Sequence, residues 1–294
     1  MANLKEIRTR IASVGSTRQI TSAMKMVAAA KLKKAQDSVT NLRPYALKMH
    51  EITMNVSSAM GHDENNVYSD ERDLRQVLIV VITSNRGMCG AFNSNAIKEA
   101  LQLAESKYSA CLAPEKIHYM AIGKKGYDAL RKRKVSLAKY DTDIVENPEY
   151  EKVADTAQSL IDAFTEGAYD CIDIVYNEFI NAASQKVMSK QFLPLLPPEE
   201  DDDNKAKKLD YIFEPDKEYI VSELIPLNLR LMLHEALLDS IASEFGARMT
   251  SMHQATDNAT TLIQELTLQY NKARQAAITN EILEIVGGAE ALKG

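Results

Sequence analysis

Between residues 238 and 277 the apolar side chains keep an unbroken alternation of four- and three-residue steps. One set of positions reads Leu238, Phe245, Met252, Ala259, Leu266 and Ala273, and the other reads Ala242, Met249, Thr256, Ile263, Tyr270 and Ala277. Only Thr256 among these twelve is polar. A period near 3.5 residues predicts one long helix whose apolar seam needs a helical partner. No proline interrupts this span, and its one glycine, Gly246, lies off the seam.

The opposite end of the chain carries a second seam. Apolar residues recur at Leu4, Ile7, Ile11 and Val14, slip at "GST", and resume at Ile20, Met24 and Val27. From Ala28 the spacing is regular again through Leu32, Ala35, Val39, Leu42, Ala46, Met49, Val56 and Met60. Pro44 lies inside this run and is expected to bend the helix, because it lacks a backbone donor. Two seams at opposite ends of one chain find their shortest solution in each other. A folded middle that returns the chain makes the pair antiparallel. At about 1.5 Å per residue, fifty residues of such a helix span roughly 75 Å.

The middle segment has a different pattern. "QVLIVVIT", "KIHYMAI" and "YDCIDIVYNEF" are β-branched, apolar runs suited to buried strands. Helical stretches at 92–107, 124–134 and 149–166 alternate with them, which predicts a small, mainly parallel, Rossmann-like α/β sheet domain. "SQKVMSKQFLPLLP" adds a strand ending at its prolines, "PPEEDDDNKAKK" reads as a polar loop, and "LDYIFEPD" resumes order. The fold class is therefore α/β plus a long antiparallel coiled coil formed by the N- and C-terminal helices. The expected boundaries are 1–60 for the first coiled-coil helix, 75–215 for the central domain and 216–294 for the last helix.

Apolar residues make up 45% of the chain and charged residues 26%, ordinary values for a globular protein. No apolar run approaches the 18 residues of a membrane span, and "MANLKEIRTRIASVG" has no signal-peptide core. Cys89, Cys111 and Cys171 form no C-x-x-C pair, which fits reduced structural thiols, and the five histidines form no H-E-x-x-H, so no metal is expected.

"SNRGMCG", residues 84–90, stands between an apolar strand and a helix, the layout of many phosphate loops. A P-loop needs a lysine and a Ser or Thr after its last glycine, and this loop has neither. A dinucleotide loop needs G-x-G-x-x-G, and only Gly87 and Gly90 are present. A tight turn explains these glycines without a ligand. In "GKKGYDALRKRK", Arg131, Lys132, Arg133 and Lys134 complement a helix dipole. No nucleophile motif, catalytic residue or cofactor site emerges. Residues 1–50 hold ten Lys and Arg against Glu6 and Asp37, a net of +8, which suits an acidic protein surface or nucleic acid. No aromatic stacking pattern supports the latter. The last helix runs on past its seam as "RQAAITNEILEIVGGAEAL", with Ile278, Ile282 and Ile285 in one apolar stripe. A terminus this apolar would fray unless a partner received it.

Three segments resemble one family, the gamma subunits of F-type ATP synthases. "IRTRIASVGSTRQITSAMKMVAAAKLKKAQ" is similar to its N-terminal helix, "SNRGMCGAFN" to its central S-D-R-G-L-C-G-G-L-N, and "ITNEILEIVGGAEA" to its C-terminal I-T-x-E-x-x-E-x-x-x-G-A. The resemblance implies a non-catalytic, cofactor-free rotating shaft inside a hexamer of alpha and beta subunits. Epsilon and a membrane-embedded c-ring lie at its foot. It implies beta-subunit contacts by Arg274, Gln275, Thr279, Glu281 and Glu284, by Met24 with Lys25, and by the loop at Arg86 and Cys89. Tyr211 and Phe213 would lie at the c-ring. The chain departs from the pattern at Asn85, Met88, Ala91 and Phe92, and Asn85 removes a charge that could make a salt bridge. Gly15 and Ser16 replace a common Q-N pair, which is expected to loosen the N-terminal helix. The absence of a transit peptide implies a bacterial protein at the cytoplasmic face of the plasma membrane. The alternative is a nucleotide-binding α/β enzyme with a coiled-coil appendage.

Overall fold

The computed structural model describes residues 4–60, 67–69, 72–109, 112–195 and 217–291. Two compact units are formed, Met1–Ala28 with Met249–Gly294, and Ala29–Arg248. The long helices α1 (Leu4–Met60) and α6 (Lys217–Ala291) contribute residues to both. The segment holding "LDYIFEPD", with Tyr211 and Phe213, lies outside the described residues.

The larger unit is built on a five-stranded sheet in the order β3-β2-β1-β4-β5. Its strands are β1 (Val77–Ile82), β2 (Ile117–Ile122), β3 (Ser136–Asp141), β4 (Cys171–Asn181) and β5 (Ser184–Leu193). The first four are mutually parallel, and β5 returns antiparallel to β4. Every residue of the central strand, "VLIVVI", is buried. That is the burial expected of a parallel strand covered on both faces.

Alternation sorts these side chains to two faces. Val77, Ile79, Val81, Tyr119 and Ala121 join one core with Ala96, Ala100 and Leu130 of the helices α2 (Phe92–Leu103) and α3 (Lys124–Lys132). Alanines four residues apart in α2 let its backbone lie close to the sheet. On the opposite face, Ile174 and Tyr176 of β4 meet Met232, Glu235 and Ala236 of α6. The helix α5 (Tyr150–Thr165) buries Val153, Ala157, Leu160, Ile161 and Phe164, and its Gln158 accepts from Arg230 of α6.

Strand β3, the short helix α4 (Asp143–Glu146) and the π turn at Ala104–Tyr108 add to the elements expected from sequence. β3 sits at the sheet edge with Ala138, Lys139 and Tyr140 exposed, so it lacks the apolar run that marks its neighbours. Helix α1 continues through Gly15, Ser16 and Pro44. Pro44 is exposed, as is Thr40, whose carbonyl loses its donor, so water can replace that bond.

In the smaller unit, α1 and α6 pair antiparallel. Thr256 Oγ1 donates to Thr21 Oγ1 at 2.9 Å, and Lys25 Nζ donates to His253 Nδ1 at 3.3 Å. Position numbers rise along one helix and fall along the other. The nine seam residues of α6 in this unit are buried or half-buried, as are Leu238, Ala242 and Phe245 in the larger one. The slip on α1 resolves differently from the sequence reading. Its heptads run on through Thr21, which is buried, and Ile20 and Val27 fall outside the seam at 60% and 58% exposed.

Candidate partner-binding surfaces

The loop Ser84–Gly90 closes the C-terminal end of β1, and its polar atoms are used internally. Ser84 N donates to Asn93 Oδ1 at 2.9 Å, and Ser84 Oγ donates to Arg86 O at 2.7 Å. Asn93 Nδ2 donates to Ser84 Oγ at 2.8 Å and lies 3.2 Å from Cys89 Sγ. Cys89 is only 1% exposed, and burial pushes its thiol pKa up, so it is a packed, protonated thiol. What the loop offers outward is Arg86 and Met88, the latter held at φ 64.

The same loop, with Thr83 before it, caps helix α3. Lys124 N donates to Asn85 Oδ1 at 3.0 Å, Lys125 N to Ser84 O at 3.1 Å and Gly126 N to Thr83 Oγ1 at 2.9 Å. These are the first-turn donors that a phosphate would need. Gly123 adopts φ 103, and a Cβ there would run into the Thr83 carbonyl. Asn85 uses both ends of its amide, since Nδ2 also donates to Thr142 O at 2.8 Å. A carboxylate could not donate there. The asparagine therefore replaces a possible salt bridge with a two-sided bracket.

Helix α6 secures the loop from outside. Arg248 Nη2 donates to Arg86 O at 2.9 Å and to Gly87 O at 3.3 Å, while Nη1 pairs with Glu244. Both side chains are buried. Burial pushes the Glu244 carboxyl up, and the Arg248 guanidinium opposes that shift. Sequence reading missed Thr83, Asn93, Glu244 and Arg248. The seam pattern concerns apolar positions and says nothing of a charged pair beside it.

In the smaller unit Met24 and Lys25 are half-buried near His253. Arg274, Gln275, Thr279, Glu281 and Glu284 lie farther along α6, all exposed, with Thr279 Oγ1 bonded only to its own helix at Gln275 O. Twenty-one residues separate His253 from Arg274, roughly 30 Å of helix. These residues therefore form two separate zones. By the Thr21–Thr256 register, Leu4 falls opposite about residue 273, so α6 outruns the described part of α1. From Ile278 to Ala291 every residue is exposed, including Ile278, Ile282, Leu283, Ile285 and Val286. Arg86 and Cys89 belong to the other unit.

Comparison with known proteins gives a consistent result. A family model described as ATP synthase matches residues 3–292. A relative in Flavobacterium psychrophilum named ATP synthase gamma chain is 54% identical over 294 residues, covering 100% of both chains. A chain in the Tetrahymena thermophila mitochondrial ATP synthase, from a structure of the central stalk and c-ring, matches with TM-score 0.57 and 28% identity over 80% of this chain and 99% of that one. A chain in the Euglena gracilis mitochondrial ATP synthase (OSCP, F1 and c-ring) matches with TM-score 0.66 at 23% identity, over 98% and 94% of the two chains, and supports the fold.

Proposed function

The chain belongs to the ATP synthase gamma family, and from that premise we propose that it is the rotating central-stalk subunit of an F-type ATP synthase. Its partners in this reading are the alpha and beta subunits of the hexamer, the epsilon subunit and the c-ring. Proton flow turns the ring and the shaft together. Each angle presents a different set of contacts to each beta subunit, and that differential binding shifts the conformational equilibrium of catalytic sites elsewhere.

The observation that carries this reading is the free end of α6. Five large apolar side chains stand exposed beyond the coiled coil, on a helix with no described partner there. A contiguous exposed apolar surface of this kind marks a site that another chain covers. Arg274, Gln275, Thr279, Glu281 and Glu284 are polar groups on the same turns and would hold the beta subunits at that level. Met24 and Lys25 would make a second contact, helped by the basic character of residues 1–50. Arg86, with Met88, would make a third, and Cys89 would shape that loop from within. Tyr211 and Phe213, outside the described residues, would stand at the c-ring.

The subunit transmits torque and does no chemistry of its own. In support, the α3 donors beside "SNRGMCG" are already committed, and the cleft between β4, β5 and α6 holds about 10 Å³, no more than one water. No described helix is long and apolar enough to cross a membrane. In this reading attachment is peripheral, through the ring, and the bacterial relatives favour the cytoplasmic face of a plasma membrane. Reconstitution with purified alpha and beta subunits tests the reading. The expected result is a complex of one such chain per three alpha–beta pairs that hydrolyses ATP only when this chain is present. No complex, together with nucleotide binding by the chain alone, would overturn it in favour of a nucleotide-binding enzyme.

A further inference from the structure

We propose that Arg43 and Asp239 form a proton-tightened clasp that fastens α1 to α6 within the larger unit more firmly in acid than at neutral pH. Asp239 is 3% exposed and accepts from Arg43 Nη2 at 3.0 Å, while the arginine side chain is 41% exposed. One partner is thus sealed in the packing and the other reaches solvent. An aspartate in such a site ionises at a desolvation cost that one half-solvated cation only partly offsets.

The surroundings sharpen the conflict. From α1 come Arg43 and His50, from β4 Tyr176 and Glu178, from β5 Lys190, and from α6 Glu235. Two further carboxylates therefore face the same region. The Asp239 carboxyl is pushed up to about 6, chiefly by burial, with Arg43 opposing the shift and Glu235 and Glu178 adding to it. Burial raises Glu235 as well, against Lys190 and Arg43. The water-sized cleft lined by Tyr176, Lys190 and Glu235 lies one turn of α6 before Asp239.

The sign follows from linkage. A carboxyl with a higher pKa in the closed, buried arrangement than in an open, solvated one binds its proton preferentially when closed. Its contribution to closure is full below the ordinary aspartate value near 3.9 and is lost as pH rises through about 6. The protonated acid still accepts from Arg43 through its carbonyl oxygen, so acid removes the buried charge and keeps the hydrogen bond. His50 works in the opposite direction. Burial and Lys190 lower its pKa, so its contribution is present above the ordinary histidine value and is lost as pH falls. On the shaft reading, this clasp would stiffen the junction of the two helices when the surrounding solution turns acid.

Hydrogen exchange of amides 39–50 in the isolated full-length chain, corrected for intrinsic rates, tests the clasp between pH 5 and 7.5. Wild type should gain protection on the order of tenfold on acidification, the equivalent of one pKa unit. Asp239→Asn should lose that gain and keep only the responses of His50 and Glu235, whereas Arg43→Gln should move the transition to higher pH because the opposing cation is gone. A response in Asp239→Asn equal to wild type, or no shift in Arg43→Gln, would overturn the clasp. If Asp239→Asn fails to fold, the Arg43→Gln shift decides alone. The readout needs no partner subunit, so a failed reconstitution bears only on the shaft reading.

Discussion

The loop at Ser84–Gly90 and the end of α6 are both prominent in the sequence, yet they satisfy their chemistry in opposite ways. The loop is closed on itself. Its serine, asparagine and thiol bond within the unit, and two glycines let Thr83 press against α3. The end of α6 is open, with isoleucines and carboxylates in solvent and a threonine bonded only to its own helix. A closed motif serves the fold first and offers a partner only what it leaves outside. An open apolar motif has no use within the chain, so its use lies in another chain. Substitutions should therefore damage folding at the loop and assembly at the tip.

The largest expected effect on stability is at Gly123. Replacing it with valine puts a β-branched side chain at φ 103 against the Thr83 carbonyl, which cannot move without breaking the end of β1. The expected loss is about 4 kcal/mol, read as a fall in thermal midpoint or as failure to recover folded chain. Wild-type stability would mean that the loop is not tied to α3 as described. Next comes Arg248→Ala, which strands a buried Glu244 carboxylate and two loop carbonyls. That should lose about 3 kcal/mol. Pairing it with Glu244→Gln should recover part of the loss, because the uncompensated charge goes too; an additive double variant would count against the pair.

Legibility in the sequence followed the same division. The seam of α6 was readable because heptads are a local, apolar, periodic signal, and each of its twelve positions is at least half-buried. The central strands were readable because burial on both faces demands long apolar runs. Strand β3 was not, since an edge strand needs no such run. The seam of α1 misled between Ile20 and Val27 because a threonine pair, Thr21 with Thr256, holds the register where an apolar pair was expected. The bracket from Thr83 to Gly126 and the pair of Arg43 with Asp239 join residues 43 and 196 positions apart. Nothing local in composition marks such bonds. Arg86 was readable as a candidate contact, whereas the buried role of Cys89 required coordinates.

A smaller effect is expected at Asn85→Asp. The Lys124 N–H keeps its acceptor, but the new carboxylate faces the Thr142 carbonyl, with Glu146 Oε1 3.4 Å from the lost amide. Two hydrogen bonds from the amide disappear, the one to Glu146 long and exposed, and two like charges approach, for a loss of about 1 to 2 kcal/mol at neutral pH. The loss should shrink in acid as the carboxylates protonate, and a pH series of thermal midpoints would show it. A pH-independent difference would point to a change in shape rather than charge.

At the tip the stability effect should nearly vanish while the functional one persists. Arg274 is exposed and Ile285 is 71% exposed, so Arg274→Glu and Ile285→Asn should each change the stability of the isolated chain by less than about 0.5 kcal/mol. In the reconstituted complex, Arg274→Glu should lower ATP hydrolysis because a cation aimed at a beta subunit becomes an anion. Ile285→Asn should weaken assembly, because an apolar side chain meant for an enclosing wall becomes a polar group without a partner. Measuring both properties in one preparation is what gives the test its force. An unchanged rate for Arg274→Glu would remove that residue from the contact. A tip variant that unfolds the isolated chain would show that the end of α6 is closed on itself after all, and would remove the difference between the two regions.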